Sequence, residues 1–218
     1  MSADPWNDRL EAYRTSPTHA NDPDLDTVVA LCEPRDGLRA LDVATGGGHV
    51  ARRLREAGAE VVTTDAAAGM QPDVVAPAES LPFEDESFDV VVTRIAPHHF
   101  SDIRGAVREM ARVTRDTVVV EDTLFTSDEV DAAEKLRDPS HVRNYSEAEW
   151  RSFLEEAGLS VEHVEGFRKT HTLDEWLART GCEGETAGRV RELLTAVTSE
   201  DGTTWQDTKI ILKAKKKV

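Results

Sequence analysis

Cysteine, lysine and long uncharged runs are all scarce in this chain. Its two cysteines, Cys32 and Cys182, stand far apart with no metal-ligand spacing around them. Cys32 falls on the apolar stripe Leu25, Val28, Val29, Cys32, the place of a buried thiol. Neither a disulfide framework nor a metal site is therefore expected. The longest stretch without Asp, Glu, Lys or Arg is Val43 to Ala51, nine residues, against about 20 for a membrane span. The first residues, MSADPWNDRLEAY, have neither a basic start nor an apolar core, so no signal peptide is expected. Bases are outnumbered: 26 Lys and Arg against 42 Asp and Glu leave a net charge of −16. A nucleic-acid backbone or an anionic membrane surface needs a basic face. The expected partner is thus a small molecule, with no nucleic acid and no membrane, in a cytoplasmic protein. Only 7 of the 26 bases are Lys, four of them in the last six residues. Acids spread along the whole chain suit a salt-rich cytosol, where counterions screen self-repulsion.

What is present is a single-domain length of 218 residues with 39% hydrophobic residues, enough for a full core. Short β-branched runs alternate with amphipathic stretches. Strands are expected at Leu38–Val43, Glu60–Thr64, Asp73–Ala76, Phe88–Thr93, Thr117–Glu121, Leu159–Val164 and Lys209–Lys213. Helices are expected at Asp24–Glu33, Gly48–Ala57, Ile103–Val113, Ser127–Arg137, from Ser146 to Gly158, around Trp176, and at Thr186–Val197. Capping boxes are expected at Ser146–Glu149 and Thr172–Glu175. Near-continuous apolar strands separated by helices imply an α/β, doubly wound, Rossmann-like and mostly parallel sheet. The expected division is an N-terminal cap over 1–35, a ligand-binding core over 36–122, a helical cap with the sixth strand over 123–200, and a final strand over 201–218.

The most informative stretch is LDVATGGGHVARRL, Leu41 to Leu54: strand, glycine loop, helix. Gly46, Gly47 and Gly48 free the backbone for a sharp turn and a close ligand approach. The helix beyond offers unpaired N–H groups. Asp65, at the end of the second strand, is placed to accept both hydroxyls of a ribose. The spacing Gly46-x-Gly48-x-x-Ala51 also fits a dinucleotide fingerprint. Asp42, just before the loop, is awkward against a pyrophosphate and suits a cationic ligand such as an ammonium or a sulfonium.

These residues and their neighbours resemble the class I S-adenosylmethionine-dependent methyltransferases, in particular the small-molecule branch that includes the ubiquinone/menaquinone methyltransferases. LDVATGGGHVA, VVTTDAAAGM (Val61 to Met70) and AESLPFEDESFDVVVTRIAPHHF (Ala78 to Phe100) carry the resemblance in order and spacing. YRTSPTHA (Tyr13 to Ala20) and DPSHVRNYSEAEWRSFLEEAG (Asp138 to Gly158) extend it. The resemblance implies a seven-stranded sheet with its last strand antiparallel, S-adenosylmethionine as cofactor and S-adenosylhomocysteine as product. It implies that Asp42, Ala44, Gly46, Gly47 and Gly48 surround the amino-acid end of the cofactor. Asp65 and Ala66 would meet the ribose, Met70, Ala78 and Glu79 the adenine, and Arg94 to Ala96 the fourth-strand side. Two departures stand out. Only Gln71 to Pro77 separate Met70 from Ala78, so the third-strand region is shortened and lacks its helix. Pro77 replaces an Asp that often binds the adenine amino group.

Methyl transfer needs alignment and, for some acceptors, a base. His98 and His99 follow the fourth strand and are the candidate catalytic residues. Tyr13, His19, Asp122, His141 and Arg143 are candidate substrate residues, Arg143 for an anionic group. Two other classes stay open: an NAD-dependent oxidoreductase, and a non-catalytic S-adenosylmethionine-binding module.

Overall fold

The computed structural model describes residues 10–15 and 23–217. After a short helix α1 (Leu10–Arg14), the chain runs α2 (Pro23–Leu31), β1 (Arg39–Val43), α3 (His49–Glu56), β2 (Glu60–Asp65), β3 (Val74–Val75), β4 (Phe88–Arg94), α4 (Ile103–Val113) and β5 (Thr114–Thr123). It continues with α5 (Asp128–Arg137), α6 (Glu147–Glu156), β6 (Leu159–Thr172), α7 (Leu173–Ala178), α8 (Gly184–Leu193) and β7 (Thr204–Lys216). The seven strands form one sheet in the order β3-β2-β1-β4-β5-β7-β6. β1 to β5 pair in parallel, and β7 runs antiparallel to both β5 and β6.

Side chains alternate across this sheet, and both faces are covered, which is why the strands read as continuous apolar runs. Ala40, Val90, Val92, Val119 and Ile211 pack with Leu25, Val28 and Val29 of α2 and Val50 and Leu54 of α3. Leu41, Val91, Val118, Val120 and Leu212 pack on the opposite side with Val107 and Met110 of α4 and Trp150, Phe153 and Leu154 of α6. Cys32 is buried and free, and so is Cys182. α2 and α6 are thus layers of the sandwich and not parts of a cap. A third, separate cluster joins α5, α7 and α8: Val130, Ala133, Trp176, Leu177, Val190 and Trp205. This cluster is called the cap below.

Local signals set most element ends. Ser146 and Glu149 complete a reciprocal capping box. Gly58 and Gly158 take positive φ just beyond α3 and α6, as a C-terminal glycine allows. The Thr172 side chain makes no capping bond, because Thr172 is also the last residue of β6. The expected box there does not form. The main difference lies at the far edge: β6 and β7 are 14 and 13 residues long and stay paired from Leu159↔Lys216 to Thr172↔Thr204. Their polar outer halves do not read as strand because β6 is an edge, with one side of its ladder unpaired and charged residues along it. As expected, the segment between Met70 and Ala78 holds no helix beyond a single 3-10 turn at Ala68–Met70, and β3 is two residues long.

Candidate functional site

The strand order reverses between β1 and β4, and the loops leaving these two strands part there, the crevice where open α/β sheets bind ligands. A cavity of about 390 Å³ occupies this place. One end is walled by the glycine loop and the end of β2. The other runs beneath the cap.

At the first end, Asp42 is buried under the loop. Its Oδ2 accepts the Thr45 hydroxyl at 2.7 Å and the Ala51 N–H at 3.2 Å, bracing the loop against the first turn of α3. Burial pushes its carboxyl up to about 6. Asp65 accepts the Gly46 N–H at 3.0 Å and the Ala67 N–H at 2.9 Å, so it pins the glycine loop to the turn after β2. Gly46 and Gly48 have φ of 50° and 74°. A side chain at either would project into open space, not into protein. The need for glycine is therefore conformational. Gly48 is the residue before α3 and brings no capping side chain; the Ala51 N–H of the first turn is met by Asp42 instead. Ala44 and Ile95 sit just past the ends of β1 and β4, line the cavity, and hold φ of 55° and 52°. For a β-branched residue that is a strained conformation.

Ala44, Gly46, Gly47, Ala66, Met70, Ala78, Arg94 and Ala96 line the same cavity; Gly48 is not part of its lining. Glu79 lines it too, with Oε1 accepting the Ser101 N–H and hydroxyl, both at 2.8 Å. Arg94 has a second task. Its guanidinium, 5% exposed, donates to Asp24 of α2 and Glu121 of β5, both at 2.7 Å, and Lys169 of β6 reaches Asp24 at 3.4 Å. Burial pushes Glu121 up to about 8 against the pull of Arg94. Asp24 is held well below the usual carboxylate range: a hydrogen bond with Glu121 and the charges of Arg94 and Lys169 outweigh desolvation.

At the middle of the cavity, a 3-10 turn at Pro97–His99 sets two imidazoles side by side, 4.2 Å between centroids. His98 Nδ1 meets Asp122 Oδ1 at 2.5 Å, with Asp122 fully buried. Burial, then His141 and Lys209, push His98 well below its usual value, and burial pushes Asp122 up to about 7. His99 Nδ1 contacts the Ser140 carbonyl at 3.1 Å and is pushed down to about 3 by burial and His98. His141 lies 5.2 Å from His98 ring to ring and faces Asp131 at 3.3 Å. Asp122 does not line the cavity itself but meets His98, which does. Arg143 does not line it: the guanidinium salt-bridges Glu149 at 2.7 Å and lies over Tyr145. Of the remaining expectations, His19 and the side chain of Tyr13 lie outside the described residues. Among the described residues no group of His, Cys, Asp and Glu has an arrangement that could hold a metal.

The cap end holds residues that the sequence reading missed: Arg137, Lys169, His171, Arg179, Asp207 and Lys209 all line the cavity. Lys169-x-His171 and Asp207-x-Lys209 continue the period-2 alternation of β6 and β7, the one signal that points to them. Lys209, fully inside, donates to Thr123 at 2.6 Å and pairs with Asp207 at 2.7 Å. Asp207 also faces His171 at 3.1 Å. Glu134, at this end of α5, accepts a hydrogen bond from Asn144, and burial pushes it up to about 7. The folded protein thus holds this proton between about pH 4.5 and 7, where an unfolded chain has released it. Stability therefore falls as pH rises through that window, by at most about 1.4 kcal/mol per unit. Urea unfolding at pH 5, 6 and 7 is expected to show wild type losing this advantage over Glu134→Gln as pH rises. Parallel stability curves would refute the assignment.

Residues 41–120 match the model of a methyltransferase domain. Over 214 residues, 88% of this chain and 83% of the relative, the chain is 32% identical to YcgJ of Bacillus subtilis, an uncharacterised methyltransferase. The crystal structure of the Bacillus subtilis YcgJ protein superposes with a TM-score of 0.82 at 27% identity, over 89% of this chain and 98% of that one. A demethylmenaquinone methyltransferase of Corynebacterium urealyticum is 37% identical over 87 residues, 36% of this chain and 38% of its own.

Proposed function

Because the chain belongs to this methyltransferase family, whose members depend on S-adenosylmethionine, we propose that the glycine-loop end of the cavity holds that cofactor and the cap end a small-molecule acceptor. The observation that carries the assignment is the pair of carboxylates flanking the glycine loop, Asp42 beneath it and Asp65 beside it. Two acids at the loop suit a cationic, hydroxyl-bearing ligand and would repel the pyrophosphate of a dinucleotide, which speaks against the oxidoreductase reading. Asp65 would hold the ribose hydroxyls, and Met70 and Ala78 would border the adenine. Pro77 offers no adenine acceptor, and Glu79 is committed to Ser101. Bound there, S-adenosylmethionine supplies a methyl group activated by its sulfonium.

The chain's own contribution is alignment and proton removal. When Asp122 is ionised and accepts from His98 Nδ1–H, Nε2 is the nitrogen left to accept a proton. Burial keeps His98 uncharged at neutral pH, the form a base requires. The hydrogen bonds from Val142 and Arg143 N–H to the His98 carbonyl, 2.8 and 3.2 Å, fix this turn against the 138–145 loop. His98→Ala and Asp122→Asn are expected to lower turnover by about 10²- to 10⁴-fold, with affinity for S-adenosylhomocysteine within about threefold of wild type by calorimetry. Full turnover in both variants would remove the base. Binding with no turnover on any acceptor would favour the non-catalytic module.

Among the described residues no helix is long and apolar enough to cross a membrane. The charge of −16, with few lysines, supports a cytoplasmic setting rich in salt.

A further inference from the structure

Beyond Asp65, two short segments wall the cavity. One is the turn after β2, with Ala67 and Met70; the other is the stretch leaving β3, Ala76 to Ala78. Phe100 joins them from the turn after β4. Apart from Pro77 these side chains are buried, and all are apolar. The polar groups nearby are used inside the protein. Asp65 takes the Ala67 N–H at 2.9 Å. The main-chain carbonyls of Asp65, Ala67 and Pro77 accept from the N–H groups of Ala76, Met70 and Ser80 at 3.0, 3.0 and 3.1 Å. Glu79 and Ser101 also line this part and bond to each other. Glu79 Oε1 takes the Ser101 N–H and hydroxyl, both at 2.8 Å, and the Asp102 N–H at 3.3 Å. These donors tie the carboxylate to the chain just before α4, where Asp102 caps the helix. Pro77 has neither an N–H nor a polar side chain. It is exposed between buried Ala76 and Ala78, so the cavity wall reaches solvent there.

We propose that the purine of the cofactor lies in this apolar slot with the edge farthest from its ribose at Pro77, and that the site does not read the 6-amino group. Cofactors whose base lacks that group, or carries a substituent on it, then fit as well. The inference rests on the cofactor assignment and names the part of the cofactor that this chain ignores. A site built to hydrogen-bond an amino group rejects the analogue lacking it, because its own acceptor is left unpaired. An apolar slot holds either base by contact alone. Met70 suits such a slot, since a thioether is polarizable and packs well against aromatic rings. A substituent on the amino nitrogen passes Pro77 into solvent and meets no wall. Selectivity for the cofactor then resides at its other end, with Asp42, the glycine loop and Asp65.

Calorimetry with three ligands tests it: S-adenosylhomocysteine, its 6-desamino analogue with purine in place of adenine, and an analogue carrying a benzyl group on the 6-amino nitrogen. In wild type neither analogue is expected to bind more than fivefold more weakly than S-adenosylhomocysteine. Pro77→Asp places a carboxylate at the exposed position. There the desamino analogue is expected to become at least tenfold weaker than S-adenosylhomocysteine, as loss of a hydrogen bond to a charged group implies. Pro77→Ala is expected to keep the wild-type ratios, which separates the new carboxylate from the loss of proline. The proposal is overturned if wild type binds the desamino analogue more than fivefold more weakly, as it would if Glu79 Oε2 or a main-chain carbonyl read the amino group. Exclusion of the benzyl analogue overturns it equally. Equal affinities in a folded Pro77→Asp overturn the placement of the base edge, and the wild-type titrations decide alone if that variant does not fold. Failure of S-adenosylhomocysteine itself to bind overturns the cofactor assignment and this inference with it, a result distinct from any preference among the three ligands.

Discussion

Asp65→Ala is expected to weaken binding of S-adenosylhomocysteine by about 1.5–3 kcal/mol, roughly 10- to 150-fold in Kd. Two losses add here. One is the proposed charged acceptor for the ribose. The other is the carboxylate that binds the Gly46 and Ala67 N–H groups, so the loop loses its tie to the end of β2. Asp65→Asn separates them: one amide oxygen can keep a loop bond while the charge is gone. An intermediate Kd is therefore expected for Asn. Titration calorimetry showing wild-type affinity in Asp65→Ala would sink the cofactor site as described. Folding is a separate readout, and Asp65 is part-exposed, so the thermal midpoint should move little.

Arg94→Met is expected to have the largest effect on stability. It takes the guanidinium from between two carboxyl groups whose side chains are 2% and 0% exposed. Breaking a buried pair in this way costs about 3–5 kcal/mol, roughly 6–20 °C in Tm at this chain length. Glu121→Gln should be far milder, because burial already pushes Glu121 up to about 8 and it carries its proton near neutral pH. The sign with pH follows from Asp24. Its folded value lies below the usual one, so its stabilising share is full above about pH 4 and is lost as pH falls through the folded value. The penalty of Arg94→Met should therefore shrink in acid. A variant melting within about 2 °C of wild type at pH 7 would show that the network carries no stability.

How much of this was legible depends on how local each signal is. LDVATGGGHVA contains strand, turn and helix start within eleven residues, so β1, the loop and α3 could be read directly, and Asp42 and Asp65 with them. The tie from Asp65 to Gly46 could not, because it joins residues 19 apart through a turn whose geometry only the fold sets. His98 was visible in the turn that follows β4, and the parallel register of β4 and β5, Arg94↔Glu121, brings the end of β5 with Asp122 near that turn. Arg94 was read for the cavity alone; its bond to Asp24 spans 70 positions and has no local trace. The cap end was missed for a different reason. Glu165, Arg168 and Lys169 look like solvated loop, yet an edge strand tolerates charges on alternate residues. Arg143 lies in a stretch of family likeness, whereas Arg137 reads only as the basic end of a charged helix.

Among the described residues β6 pairs with no strand except β7, and β7 lies between β5 and β6. A ribosome releases residues 159–172 first, then 173–203, and only then the strand that must slide between two others. Until that insertion the nascent chain has β5 as an unguarded edge, Trp176 without Trp205, and Thr123 without Lys209. The cap end of the cavity is therefore the last part of the molecule to be assembled, by contacts of long sequence separation that form slowly. Refolding from urea should regain α2 and α3 helical signal before it regains the tryptophan environment of the cap. The exposed β5 edge is where chains released too early would stick to one another.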